Sequence, residues 1–171
     1  MSVPKVELFE RTYEKIGQVV HEIFSSILNM DLETLNTEVG REQSPPRHIL
    51  GLVALNDTIS QGSLSIGFPS ETALQIFSAF YGEKIEQIDS RVLEGVGEVT
   101  NIVYGCLKKH LNSEGSDFQM FIPVIAVGGN FDAFKNITSK TSMTIHFSCQ
   151  YGKFWVELNL KYRRSARARV G

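Results

Sequence analysis

Several features that would narrow the function are missing from this sequence. Cysteine is scarce: only Cys106 and Cys149 occur among 171 residues. Both are most simply buried thiols in a reducing compartment, with a disulfide between them left open. No apolar run reaches the roughly 18 residues that a membrane helix needs. There is no basic excess either. Lys and Arg total 17 against 19 Asp and Glu, for a formal net charge of −2. General nucleic-acid binding usually needs a basic face, so it is disfavoured. Met1-Ser2-Val3-Pro4-Lys5 leads directly into a charged segment, without the apolar region of a signal peptide. A cytoplasmic location is therefore expected.

What remains is ordinary globular material. Hydrophobic residues make up 42% and charged residues 21%, as in a typical soluble domain. The length suits one domain with a sizeable core, expected over residues 1–162. The arginine-rich end, residues 163–171, is expected to be a frayed basic tail.

Periodicity supplies the elements. Over residues 5–28, Phe9, Tyr13, Ile16, Val20, Ile23 and Ile27 recur at three and four, which predicts a helix. Residues 31–47 run through Pro45-Pro46 and read as an irregular connection with at most an edge strand. An apolar run over residues 48–56 and the alternation of Leu64, Ile66 and Phe68 predict a hairpin. Ser70 is the expected N-cap of a helix through Tyr81, stopped by Gly82. Residues 118–127 read as a strand that Pro123 demotes to an edge or a bend. Met143, Ile145 and Phe147 alternate. So do Phe154, Val156, Leu158 and Leu160, across a turn at Tyr151-Gly152. They form a second hairpin. Strand pairs with one apolar face need helices over that face. The expected fold is therefore α+β, a mainly antiparallel sheet with a layer of helices on one face. Asn136-Ile137-Thr138 is a glycosylation sequon that a cytoplasmic chain would leave unused.

The most informative stretch is the third predicted helix, capped by Asp89 or Ser90 and running to about Asn112. Val92, Val96, Val99, Val103 and Leu107 fall on one stripe at about 100° per residue. Glu94, Glu98, Asn101 and Gly105 fall on nearly the opposite one. Any surface helix shows polar residues there, but two details stand out. Gly95, Gly97 and Gly105 each cost the helix about 1 kcal/mol relative to Ala, which suggests close approach by another surface. Asn101 is also a poor mid-helix residue, because its amide competes for backbone hydrogen bonds.

Other chemistries fit less well. Glu94 and Glu98 have no histidine at matching helical spacing, so a carboxylate metal site is poorly supported. His110 falls on the apolar stripe and reads as a core or capping residue, and His146 as a solvated or interface residue. Ser142, Ser148 and Cys149 have no visible base partner. Gly95-Val96-Gly97 lies inside a helix rather than after a strand, unlike a dinucleotide loop.

Gly97-Glu98-Val99-Thr100-Asn101-Ile102-Val103-Tyr104-Gly105 resembles the signature helix of the CheX members of the CheC/CheX/FliY chemotaxis phosphatases. The signature is Glu, any two residues, then Asn, here followed four residues on by Gly. The stretch around Phe121-Ile122-Pro123 and the order of elements resemble the same family. The resemblance implies a CheC/CheX-like fold and hydrolysis of the aspartyl phosphate of a response-regulator receiver domain, CheY above all. It implies that Asn101 holds the attacking water and that Glu98 engages a lysine beside the phosphorylated aspartate. Glu94 stands where the family often has Asp or Ser, which leaves its role open within a partner-binding face of Glu94, Glu98 and Gly105. No cofactor is expected on this chain, since the receiver brings the Mg2+. One copy of the motif points to the CheX type, and hence to a homodimer. The rival is a non-catalytic receiver-binding or scaffold module, which needs the same fold and acidic row but has no use for the amide.

Overall fold

The computed structural model of the chain describes residues 5–40, 48–58, 60–119, 121–128 and 142–162. Among them the order is α1 (Lys5–Ser26), β1 (Glu33–Val39), β2 (Ile49–Asn56), β3 (Ser60–Phe68), α2 (Ser70–Tyr81), α3 (Ser90–Ser113), β4 (Val124–Val127), β5 (Ser142–Cys149) and β6 (Gly152–Tyr162). The strands form one antiparallel sheet in the order β1-β5-β6-β3-β2-β4. Both predicted hairpins are present, with Ile49 opposite Phe68 in one and Cys149 opposite Gly152 in the other.

One core joins the helices to a single face of the sheet. Leu64, Ile66 and Phe68 of β3 and Phe154, Val156, Leu158 and Leu160 of β6 bury the face that their alternation predicts. Ile16, Val20 and Ile23 of α1, Ile76 and Phe77 of α2, and all five stripe residues of α3 close over them. Each fully buried Val, Leu, Ile or Phe side chain contributes about 1.5–3 kcal/mol. Phe154 is the aromatic centre, stacked on Phe24, Phe68 and Phe147 with centroids 4.6, 5.2 and 5.3 Å away. Such pairs add roughly 0.5–1.5 kcal/mol beyond the area they bury.

The edge strand allowed for within residues 31–47 is present: β1 pairs with β5 at the end of the sheet, with a register shift between Thr34 and Asn36. Other expectations need correction. The first helix stops at Ser26, and Ile27 beyond it is exposed. Asn29 follows in a left-handed conformation, φ 52°. Ser70 is the first residue of α2 rather than its cap. Pro69 occupies the cap without a side-chain bond, and the Ser70 N–H instead donates to His48 Nδ1 at 3.3 Å. Gly82 does end the helix, in the left-handed conformation at φ 70°. On the other face of β6, Trp155, Glu157 and Asn159 are buried as well, so this strand has no solvent face there. Their strand lies between β5 and β3, and Asn159 Nδ2 donates to Glu157 Oε1 at 3.1 Å. Both cysteines are free, but Cys106 is exposed rather than buried, and Cys149 is half-buried. No helix of the described residues is long and apolar enough to cross a membrane. The Pro45-Pro46 pair, the sequon at Asn136 and the basic tail from residue 163 lie outside the described residues.

Candidate functional site

The site is built on α3, and its placement starts at the helix end. Asp89 caps the helix: its Oδ1 accepts from the Arg91 N–H at 3.0 Å. The Arg91 guanidinium bridges Asp89 at 2.5 Å and Glu83 at 2.6 Å. Hydrogen bonding from Arg91 holds the Asp89 carboxyl below the usual carboxylate range. The Tyr81 hydroxyl, at the end of α2, donates to the Arg91 carbonyl at 3.3 Å. The first turn of α3 is thus tied to both α2 and the loop that follows it.

Two close approaches set the depth of α3. A Cβ at Gly51 of β2 would lie 2.0 Å from Thr100 Oγ1, so only glycine lets the strand and helix meet there. Thr100 is buried, and its hydroxyl donates to the Val96 carbonyl at 2.7 Å. A Cβ at Gly95 would lie 2.3 Å from Phe77 Cε1, which explains that glycine by helix–helix packing inside the domain. The other helix glycines have different surroundings. A Cβ at Gly97 would meet only Ile125, at 3.6 Å from Cδ1, an ordinary contact. Gly105 has open space around it.

With the valine stripe buried, the opposite row turns outward. Glu94, Glu98 and Asn101 are exposed, and Gly105 is half-buried. Glu94, Glu98 and Asn101, together with Gly97, form one wall of a groove of about 750 Å³. Gly105 lies outside this lining, further along the helix. The other wall consists of Phe121, Ile122 and Pro123, and Tyr81 completes the lining.

The second wall is held to α3 by side-chain hydrogen bonds. Asn112 brackets Phe118: its Oδ1 accepts from the Phe118 N–H at 2.8 Å, and its Nδ2 donates to the carbonyl at 3.4 Å. Tyr104, one turn beyond Asn101, donates its hydroxyl to the Gln119 carbonyl. Burial pushes its phenol pKa up, which keeps it a neutral donor. The Gln119 N–H in turn donates to the Asn56 carbonyl at 3.2 Å. Beyond Pro123, β4 pairs with β2, with Val124 opposite Leu52. The predicted 118–127 strand is therefore only four residues of edge strand, preceded by an anchored segment.

Tyr81, Phe121 and Ile122 were not legible as site residues. A consecutive apolar run reads as buried, yet Ile122 is 89% exposed and Phe121 36%. Pro123 was the available signal, since it marks where the ladder fails. His110 and His146 stand apart from the groove lining. His110 is half-buried with its Nε2 unpartnered, and His146 Nε2 lies 3.4 Å from Glu38. Among the described residues, no three His, Cys, Asp or Glu side chains gather to hold a metal ion.

Residues 49–148 match the family model described as chemotaxis phosphatase CheX. The chain belongs to the CheX family. The matched span includes the whole of α3 and both walls of the groove. The chain is 27% identical over 110 residues to the CheY-P phosphatase CheX of Thermotoga maritima, covering 64% of this chain and 70% of that protein. Its fold is similar to the crystal structure of the chemotaxis protein CheX from Vibrio vulnificus, with a TM-score of 0.76 and 24% identity over 88% of this chain and 99% of that one. It is also similar to the CheX–CheY–BeF3–Mg2+ complex from Borrelia burgdorferi, with a TM-score of 0.67 and 22% identity over 95% of this chain and 99% of that one. The sheet with helices over one face is thus the CheX fold, and Glu98 and Asn101 occupy its exposed helix face.

Proposed function

We propose that this CheX-family chain hydrolyses the aspartyl phosphate of a CheY-like receiver domain, with Asn101 positioning the water and Glu98 docking the partner. The observation that carries it is the joint exposure of Glu98 and Asn101, one helical turn apart, on one wall of an open groove. The CheX–CheY complex of Borrelia burgdorferi supports the choice of partner.

The chemistry suits these residues. An acyl phosphate is already reactive, so its hydrolysis needs mainly positioning and charge stabilisation. The water oxygen attacks phosphorus, the bond from phosphorus to the aspartate oxygen breaks, and the products are aspartate carboxylate and inorganic phosphate. The water proton leaves late in a loose transition state, so a strong base is unnecessary. A neutral amide suffices, because it both accepts from and donates to water. A carboxylate repels the phosphoryl group, which keeps Glu98 off it. Pairing with a lysine beside the phosphorylated aspartate removes that objection and sets register. On the receiver's side, a bound Mg2+ would offset charge on the phosphoryl oxygens. Glu94 extends the acidic row by one turn, and Gly105 leaves room on the same helix for the partner. Self-association as a homodimer belongs to the same proposal and rests on the family resemblance; sedimentation of the full chain tests it.

The experiment is phosphate release from a phosphorylated receiver of the same cell. Asn101→Ala should lose about 100-fold or more of the acceleration with an unchanged melting temperature, because the side chain is exposed. An Asn101→Ala protein as fast as the parent refutes the mechanism. Binding by the parent without faster phosphate loss would instead favour a scaffold.

A further inference from the structure

The groove has walls of opposite chemistry. The α3 wall carries two carboxylates and an amide, whereas Phe121, Ile122 and Pro123 make the facing wall apolar. Ile122 is the most exposed large apolar side chain among the described residues. A single exposed isoleucine needs no explanation, but this one has company. Tyr81 and Phe121 line the same groove, and Val124, next in the chain, is also largely exposed.

The segment is also kept from folding inward. Upstream, Gln119 is fastened through its carbonyl to the Tyr104 hydroxyl and through its N–H to the Asn56 carbonyl. Downstream, Val124 is paired with Leu52. Pro123 between them has a fixed φ and no N–H to donate. Ile122 therefore stands in water because both ends of its segment are tied to the domain.

We propose that Phe121 and Ile122 form an apolar docking arm for the receiver domain, with Ile122 its specificity-determining contact. This rests on the reading of the Glu98–Asn101 row as receiver-facing. The arm and the row are two walls of one groove, so whatever brings a phosphoryl group to Asn101 passes against Ile122. A small acyl phosphate has no apolar surface to offer it, whereas a folded domain has. The partner face that fits is a lysine-bearing phosphorylation site flanked by an apolar strip. An arm already anchored also has little ordering cost on binding.

The test is steady-state dephosphorylation of the phosphorylated receiver by the parent, Ile122→Ser and Ile122→Leu. Burying an isoleucine changes affinity on the order of 10- to 100-fold. Ile122→Ser should raise KM about tenfold or more on that scale, with kcat within about twofold. Ile122→Leu should stay near the parent, and all three should melt alike. An unchanged KM in Ile122→Ser overturns the proposal, as does a fall in kcat alone. An altered sedimentation coefficient with an unmoved KM also overturns it, because the arm would then be a contact between copies of this chain. Asn101→Ala separates the two levels. If Asn101→Ala is inactive while Ile122→Ser is unaffected, only the arm fails. If Asn101→Ala is fully active, the underlying reading of α3 fails instead.

Discussion

Two glycines of α3, ten residues apart, should respond differently to the same substitution. Replacing a helix-interior glycine by alanine gains about 1 kcal/mol of helix propensity. At Gly105 nothing opposes that gain, since an added Cβ meets no atom within 4 Å. For a chain of this size about 1 kcal/mol corresponds to roughly 2–4 °C in Tm, so Gly105→Ala should melt higher by that amount. At Gly95 the new Cβ would lie 2.3 and 2.4 Å from Phe77 Cε1 and Cδ1. Ordinary carbon contacts are about 3.5–4.0 Å, so the ring must move by more than about 1 Å. Phe77 is buried and meets Phe68 edge-on with centroids 6.3 Å apart, which leaves it little room. Overpacking of this kind costs about 1–3 kcal/mol and outweighs the propensity gain over most of that range. Gly95→Ala should therefore melt at or below the parent. Calorimetry of the three proteins decides the matter. If Gly105→Ala is no more stable than the parent, or if Gly95→Ala matches Gly105→Ala, the packing account of this helix is wrong. The same pair tests function. If Gly105 leaves room for the receiver, Gly105→Ala should raise KM several-fold while stabilising the isolated chain. An unmoved KM removes Gly105 from the docking face.

Two more variants probe the acid row and the helix cap. Glu98→Lys places a cation against the partner lysine and should weaken binding of a beryllofluoride-loaded receiver about tenfold or more at low salt. Calorimetric titration checks this, and an unaltered affinity counts against the docking role. At the cap, Asp89→Asn keeps a side-chain acceptor but removes the ion pair with Arg91. Hydrogen bonding from Arg91 holds the Asp89 carboxyl below its ordinary range. A depressed group stabilises the fold above its unfolded-state pKa, and that contribution is lost as pH falls through the lower folded value. The Tm difference between parent and Asp89→Asn should be full at neutral pH and close in strong acid. A difference that persists undiminished there shows that the ion pair is not its source.

The helix that carries the site could be read from its own residues. Its stripe of Val92, Val96, Val99, Val103 and Leu107 is buried as the 3.6-residue period requires, and Asp89 caps it. The hairpins were legible for the same reason: alternation and turn chemistry are recorded in neighbouring residues. The exposure of Glu98 and Asn101 follows once the stripe opposite is buried. The second wall was not available in this way. Phe121, Ile122 and Pro123 face Asn101 because β4 pairs with β2, and because Tyr104 and Asn56 hold Gln119. Those partners lie far away in the chain, as with Ile49 opposite Val127, and no local period encodes them. β1 was seen only as a possibility, since an exposed edge strand leaves no buried alternation to read. The chain alone specifies which residues face away from the core of α3. Only the tertiary pairing decides what stands opposite them, because a groove belongs to two segments at once.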